Sequence, residues 1–351
     1  MKLKNHFEIT GIGSVPYLSE KKACDAVFPG FRRIPFWPQL VNKSFLEGMT
    51  VQFSERMPGI EVNPETKEIS VNRDRDIAGE IDGLERHYAS GDLEYFSISE
   101  DYASGFYEYM YRLKDHDNSM IDYLKGQITG PVSFGLAVSD ADRVPIFFDK
   151  DVFEAAVKIL SMRAKWQAAR LKNIFKDIII FIDEPSLSFF KQEAHSSRIK
   201  KADLAGYIRR VATAVREEDC YAGIHCCGDA DWDMVISSGI DILNFDAYNY
   251  GRSFVEGCEK IADFISGGGI IAWGLVPTGA DALKEPAEKL VDKLAEYIDA
   301  LSGRGIERRT IINSSLITPS CGLGALSEKD CDEVIRLSAQ VSHLAKERIT
   351  A

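Results

Sequence analysis

Nowhere does the chain run to about eighteen consecutive apolar residues, the length a membrane-spanning helix needs. Basic residues are in deficit. Lys and Arg number 42 against 54 Asp and Glu, a net charge of −12, which opposes both a nucleic-acid backbone and an anionic membrane surface. A dinucleotide fingerprint is missing too: "GIGSVP" is the nearest approach and lacks the GxGxxG spacing, and no P-loop is present. The start, "MKLKNHFEIT", has no apolar core of a secretory signal, so the expected location is the cytoplasm. There, seven cysteines are expected to stay reduced rather than form a disulfide framework, which leaves some of them to bind metal. What remains is an ordinary globular composition, 45% hydrophobic and 27% charged over 351 residues, with ample material for a core.

Apolar runs of strand length recur as "FEITGIGS" from Phe7, "RRIPFWPQL" from Arg32, "YLKGQITGP" from Tyr123, "DIIIFIDEP" from Asp177, "YAGIHCC" from Tyr221, "DILNFDA" from Asp241, "GGIIAWGLVP" from Gly268 and "TIINSSLITPS" from Thr310. Most are continuously apolar, as strands covered on both faces of a parallel sheet are. Helical spacing fills the intervals, most clearly over Lys150–Phe175, Ser197–Glu218, Ala280–Leu301 and Ser327–Lys346, with Ser327 as an N-cap. Eight alternating units predict an α/β fold, a closed (β/α)8 TIM barrel forming one domain over 1–351. One segment, about 60–115, breaks the rhythm: "IEVNPETKEISVNRD" reads as a hairpin, followed by the aromatic-rich "EYFSISEDYASGFYEYMYRL". It is expected as an insertion after the second strand, either a lid over the barrel mouth or a peripheral packing element.

Barrel chemistry sits at the carboxyl ends of strands. Those ends carry Ser14, Asp183 and Glu184, His225 and Cys227, Asp246, and Cys321. His225 and Cys227 are two residues apart, so on an extended strand they share a face while Cys226 points away. A same-face His and Cys make half of a zinc site; Cys321, in "TPSCGLG", is the natural third ligand and Asp246 a candidate fourth, labile one. The alternatives are bland: a buried thiol for any cysteine taken alone, a helix cap or rim salt bridge for Asp183 or Glu184, and a turn cap for Ser14.

Taken in order, "ITGIGSVP", "GQITGPVSF", "IIIFIDEP", "IHCCGD", "DILNFDA" and "TPSCGLG" resemble the motifs of the catalytic C-terminal domain of cobalamin-independent methionine synthase, and of related zinc thiol methyltransferases in the uroporphyrinogen decarboxylase superfamily. The resemblance implies that His225, Cys227 and Cys321 hold Zn2+, with Asp246 where the family has a glutamate. It also implies that Ile12, Gly13 and Ser14 hold the carboxylate of homocysteine and that Asp183 holds its amino group. A second acidic partner for the amine is usual in the family, with Glu184 and Glu55 as candidates. The chain has no room for a second barrel and lacks the tryptophan-containing folate stretch after "GPVSF". The form implied is therefore a core methionine synthase that takes its methyl group from a methylcorrinoid such as methylcobalamin, presented by a corrinoid protein. The competing readings are a coenzyme M-type thiol methyltransferase, a uroporphyrinogen decarboxylase-like enzyme, and a non-catalytic zinc-stapled docking subunit.

Overall fold

The computed structural model describes residues 3, 6–115, 117–191, 199–279 and 284–350. Six strands form one parallel sheet in sequential order: β3 (Leu124–Thr129), β4 (Ile178–Asp183), β5 (Tyr221–Cys226), β6 (Ile242–Phe245), β7 (Ile270–Val276) and β8 (Ser315–Pro319), numbered after a separate hairpin of β1 (Ile60–Asn63) and β2 (Glu68–Val71). Helices Lys150–Lys172, Lys201–Arg216, Ala287–Gly303 and Glu328–Ile349 lie between or after the strands. The starts expected at Ser197 and Ala280 lie outside the described residues. Ser327 caps its helix as expected, accepting a hydrogen bond from the Asp330 N–H at 3.1 Å. No helix among the described residues is long and apolar enough to cross a membrane.

Of the eight expected strands, six form the ladder sheet of this mixed α/β fold among the described residues, and a closed eight-stranded barrel is not formed by ladders. "FEITGIGS" and "RRIPFWPQL" are extended but make only isolated parallel bridges: Ile9 to Ile317 of β8, Ser14 to Gln39, and Phe36 to Lys125 of β3. The cause lies in their composition. Pro35 and Pro38 have no N–H to donate to a ladder. Gly11 lets the segment press on Phe36, where a Cβ would stand 2.2 Å from the ring. In the last run, residues 310–313 belong to the helix Arg308–Asn313, and the strand begins only at Ser315.

Alternation along the strands sorts the sheet into two faces. Ile180, Ile182, Leu243, Phe245, Ile271, Trp273 and Ile317 join the main core beneath the helices. Ile179, Phe181, Ile242, Ile270, Ala272 and Leu316 form a second apolar cluster on the other face, with Ile34 and Tyr123. Because the period is two, this second face continues toward the strand ends as Gln127 and Thr129, Asp183, His225, and Asn244, and pairing sets Thr129, Asp183, His225 and Asn244 side by side across β3 to β6. An apolar floor thus carries a row of polar side chains.

The expected hairpin is present, with Ile60 opposite Val71 and Asn63 opposite Glu68. The aromatic stretch that follows it packs into the main core: Phe96, Phe106 and Tyr109 are buried, and Phe106 meets Trp37 and Trp166 with ring centroids 5.8 and 5.2 Å apart.

Candidate metal centre and the adjoining cup

At the end of β5 the chain leaves His225 and Cys227 on the enclosed face, while Cys226 is fully buried in the main core, where burial pushes its thiol up to about 12. Cys321 follows β8 by two residues. The ligand atoms of His225, Cys227 and Cys321 all lie within 4.8 Å of one another. His225 is 4% exposed and both thiols are half-buried, so the group has a dry side and an open one.

His225 Nδ1 lies 2.6 Å from Asn244 Oδ1. The Asn244 amide cannot turn, because its Nδ2 donates to the Ala272 carbonyl at 2.7 Å and to Thr318 Oγ1 at 2.8 Å. Its oxygen therefore accepts the Nδ1 proton, which leaves the lone pair of Nε2 for a metal. Asn244 escaped the sequence reading, although an amide inside the apolar run "ILNF" was a usable signal.

The three groups are tied together by hydrogen bonds. The hydrogen bond from Cys321 holds the Cys227 thiol below its ordinary range, while donating to Cys227 and burial push Cys321 up to about 12. Burial alone would lower the His225 pKa, but the hydrogen bond with Cys321 and the charge of Asp183 outweigh it, and the net shift is upward. Three soft or borderline donors in one partly open cluster fit the donor set of zinc. Asp246 does not join them. Its carboxylate caps the helix Ala247–Gly257, accepting from Asn249 N–H at 3.0 Å and Asn249 Nδ2 at 2.7 Å.

The 12–14 turn sits against the Cys321 loop. Leu323 N–H donates to the Ser14 carbonyl at 2.9 Å and Gly324 N–H to Ser14 Oγ at 3.3 Å, and a Cβ on Gly322 would fall 2.2 Å from that hydroxyl. Glycine at 322 is what allows the Cys321 loop and the serine turn to touch. Lys125, fully buried on β3, donates from Nζ to the Ile12 carbonyl at 2.5 Å and lies over the Phe181 ring at 4.4 Å. Burial lowers its pKa, with the charge of Asp183 acting the other way. A lysine in the middle of "YLKGQIT" was also legible and was not singled out.

Asp183 lies opposite His225 in register, and its Oδ1 is buried with no hydrogen-bond partner among the described residues. Burial raises its pKa, while His225 and Lys125 pull it down. Glu184 is different. Both of its oxygens are taken, by Val132 N–H at 2.9 Å and by Ser133 N–H and Oγ at 2.8 and 2.7 Å, at the start of the helix Pro131–Ala137. Glu55 is likewise engaged away from this row, by the Ser99 N–H at 3.0 Å and by Arg56.

No family model matches the chain, and no curated protein matches it. Among solved structures, a B12-independent methionine synthase from Shewanella sp. W3-18-1, in complex with selenomethionine, is 16% identical over 70% of this chain and 67% of that one, with a TM-score of 0.49. The pneumococcal virulence factor StrH, studied for N-glycan recognition and hydrolysis, is 10% identical over 97% of this chain and 83% of that one, with a TM-score of 0.48. At such scores neither likeness bears on chemistry, which rests on the side chains themselves.

Proposed function

We propose that the chain is a zinc-dependent methyltransferase that methylates a thiol, with homocysteine as the acceptor, methionine as the product, and a methylcorrinoid presented by a corrinoid protein as the donor. The observation that carries this reading is the clustering of His225, Cys227 and Cys321 within 4.8 Å at the strand ends. In it, these three residues hold the metal. Bound there, zinc supplies Lewis acidity that keeps a thiol deprotonated near neutral pH.

The protein's own groups do the rest. Asn244 fixes the imidazole, and Ser14 with the backbone of the 12–14 turn offers donors for a carboxylate. Asp183 offers an unpaired buried oxygen to an ammonium, which favours an amino-acid thiol over a sulfonate-bearing one. In the overall reaction the sulfur loses its proton and gives an electron pair to the methyl carbon. The carbon–cobalt bond breaks, and its electron pair leaves with the cobalt of the donor.

The test is single-turnover methionine formation with three donors. Free methylcobalamin is expected to react slowly and a cognate methylated corrinoid protein much faster, because docking holds carbon and sulfur in line. Methyltetrahydrofolate is expected to give nothing above background. Efficient transfer from the folate alone would sink the corrinoid reading, and homocysteine binding without transfer from any donor would favour the docking subunit.

A further inference from the structure

Besides Asp183 Oδ1, two more side-chain oxygens of the polar row are buried without a partner among the described residues: Gln127 Oε1 and Thr129 Oγ1. All three belong to β3 and β4 and to one face, since Gln127 pairs with Phe181 and Thr129 with Asp183. The Gln127 amide has no freedom to turn. Its Nε2 donates to the Trp37 carbonyl at 3.1 Å, so Oε1 is the end left over, and the amide lies against Gly13, where a Cβ would stand 2.6 Å from its Cδ. Native proteins seldom leave buried oxygens unpaired, and here three acceptors on one face have no donor among the described residues.

We infer that Gln127 Oε1 and Thr129 Oγ1, together with Asp183 Oδ1, form a three-acceptor seat for the ammonium group of the substrate. An ammonium has three N–H donors and no acceptor, which matches three oxygens. A single carboxylate with two neutral acceptors is enough, because the other acids nearby are spent: Glu184 on the Pro131–Ala137 helix, Glu55 on Ser99 and Arg56, Asp246 on Asn249. Lys125 does not fill the seat: its ammonium donates to the Ile12 carbonyl and is a hydrogen-bond partner of none of the three oxygens.

Distance then selects the ligand. Asp183 and His225 are register partners on neighbouring strands, about 4.8 Å apart in the sheet. A molecule seated by its ammonium and reaching the metal cluster with sulfur is a short amino acid whose thiol is two or three carbons from the ammonium-bearing carbon. The inference rests on the function proposed above for Asp183, and adds Gln127 and Thr129 as residues that determine specificity.

Calorimetric titration of the protein as isolated tests it, with homocysteine, with 4-mercaptobutyrate, which lacks only the amine, and with norleucine, which lacks sulfur. Thr129→Val and Gln127→Leu are each expected to weaken homocysteine about tenfold, the loss of one hydrogen bond to a charged group. Binding of 4-mercaptobutyrate should not change. Thr129→Ser, which keeps the hydroxyl, should bind as the unaltered protein does, and it stands in should the valine variant not fold. Equal affinity of the unaltered protein for homocysteine and 4-mercaptobutyrate would overturn the seat and leave the thiol reading intact. Equal losses for both thiols in the variants would overturn it as well, in favour of a packing role. Norleucine binding that depends on Thr129, with no response to either thiol, would support the seat and sink thiol methylation.

Discussion

The sheet from β3 to β8 and the two N-terminal segments around Ile9 and Phe36 contribute to the same candidate site by different means. In the sheet, continuous parallel ladders set side chains in register, so that Asp183, His225 and Asn244 stand in line because their backbones do. The N-terminal segments have only isolated bridges. Their position depends on side chains instead: Lys125 holds the Ile12 carbonyl, Gln39 Nε2 donates to Gln52 Oε1 at 2.8 Å, and Glu47 accepts from Ser104 at 2.6 Å and from Leu40 N–H at 3.3 Å. Two of the three candidate metal ligands therefore sit on or beside a ladder strand, β5, while the turn read as the carboxylate site hangs on tertiary contacts.

The contrast can be broken most severely at the ligands. Cys227→Ser and Cys321→Ser are each expected to lose most of about one zinc per chain, whereas Cys226→Ser keeps it. Metal analysis of the three purified variants decides this, and equal retention in all three would remove the assigned site. The next effect belongs to the residue behind the histidine. Asn244→Leu should weaken zinc about 10- to 100-fold, the range for losing a hydrogen bond to a metal-bound imidazole, as read by competition with a chromogenic chelator. If affinity holds, ring orientation comes from packing and not from Asn244.

The smallest effect sharpens the other side of the comparison. Glu47 is buried, which raises its pKa from 4.5 against the pull of its hydrogen bonds from Ser104 and Leu40. A carboxyl with a raised folded-state pKa contributes stability that is present below pH 4.5 and is lost as pH rises through the raised value. In a urea series across that window, the midpoint of the unaltered protein should fall relative to that of Glu47→Gln, with metal content the same in both. Parallel profiles would mean that Glu47 does not titrate in the folded chain.

How far the site could be read in advance differs residue by residue. His225, Cys227 and Cys321 were recognisable because period two fixes which side chains share a face, and strand ends are where a parallel sheet exposes them. Glu184 and Asp183 are neighbours in "DEP" with the same charge, yet one caps a helix and the other joins the polar row beside His225. Nothing local separates them, because alternation assigns opposite faces only once the end of the strand is known. Asn244, Lys125, Gln127 and Thr129 lie inside runs read as apolar, and their interest comes from what stands on the next strand.

By itself the sequence determined the alternation of strands and helices, the Ser327 cap, the hairpin with its polar turn, and the shared face of His225 and Cys227, all of which follow from contacts within a few residues. Only the tertiary structure decided that the first two apolar runs are bridged segments and not ladder strands. It alone brought Cys321 across 94 positions to Cys227 and 96 to His225, and left oxygens of Gln127, Thr129 and Asp183 without partners among the described residues. The physical reason is range: dihedral preference and side-chain alternation act along the chain, whereas register, burial and the pairing of polar atoms depend on which segment lies alongside.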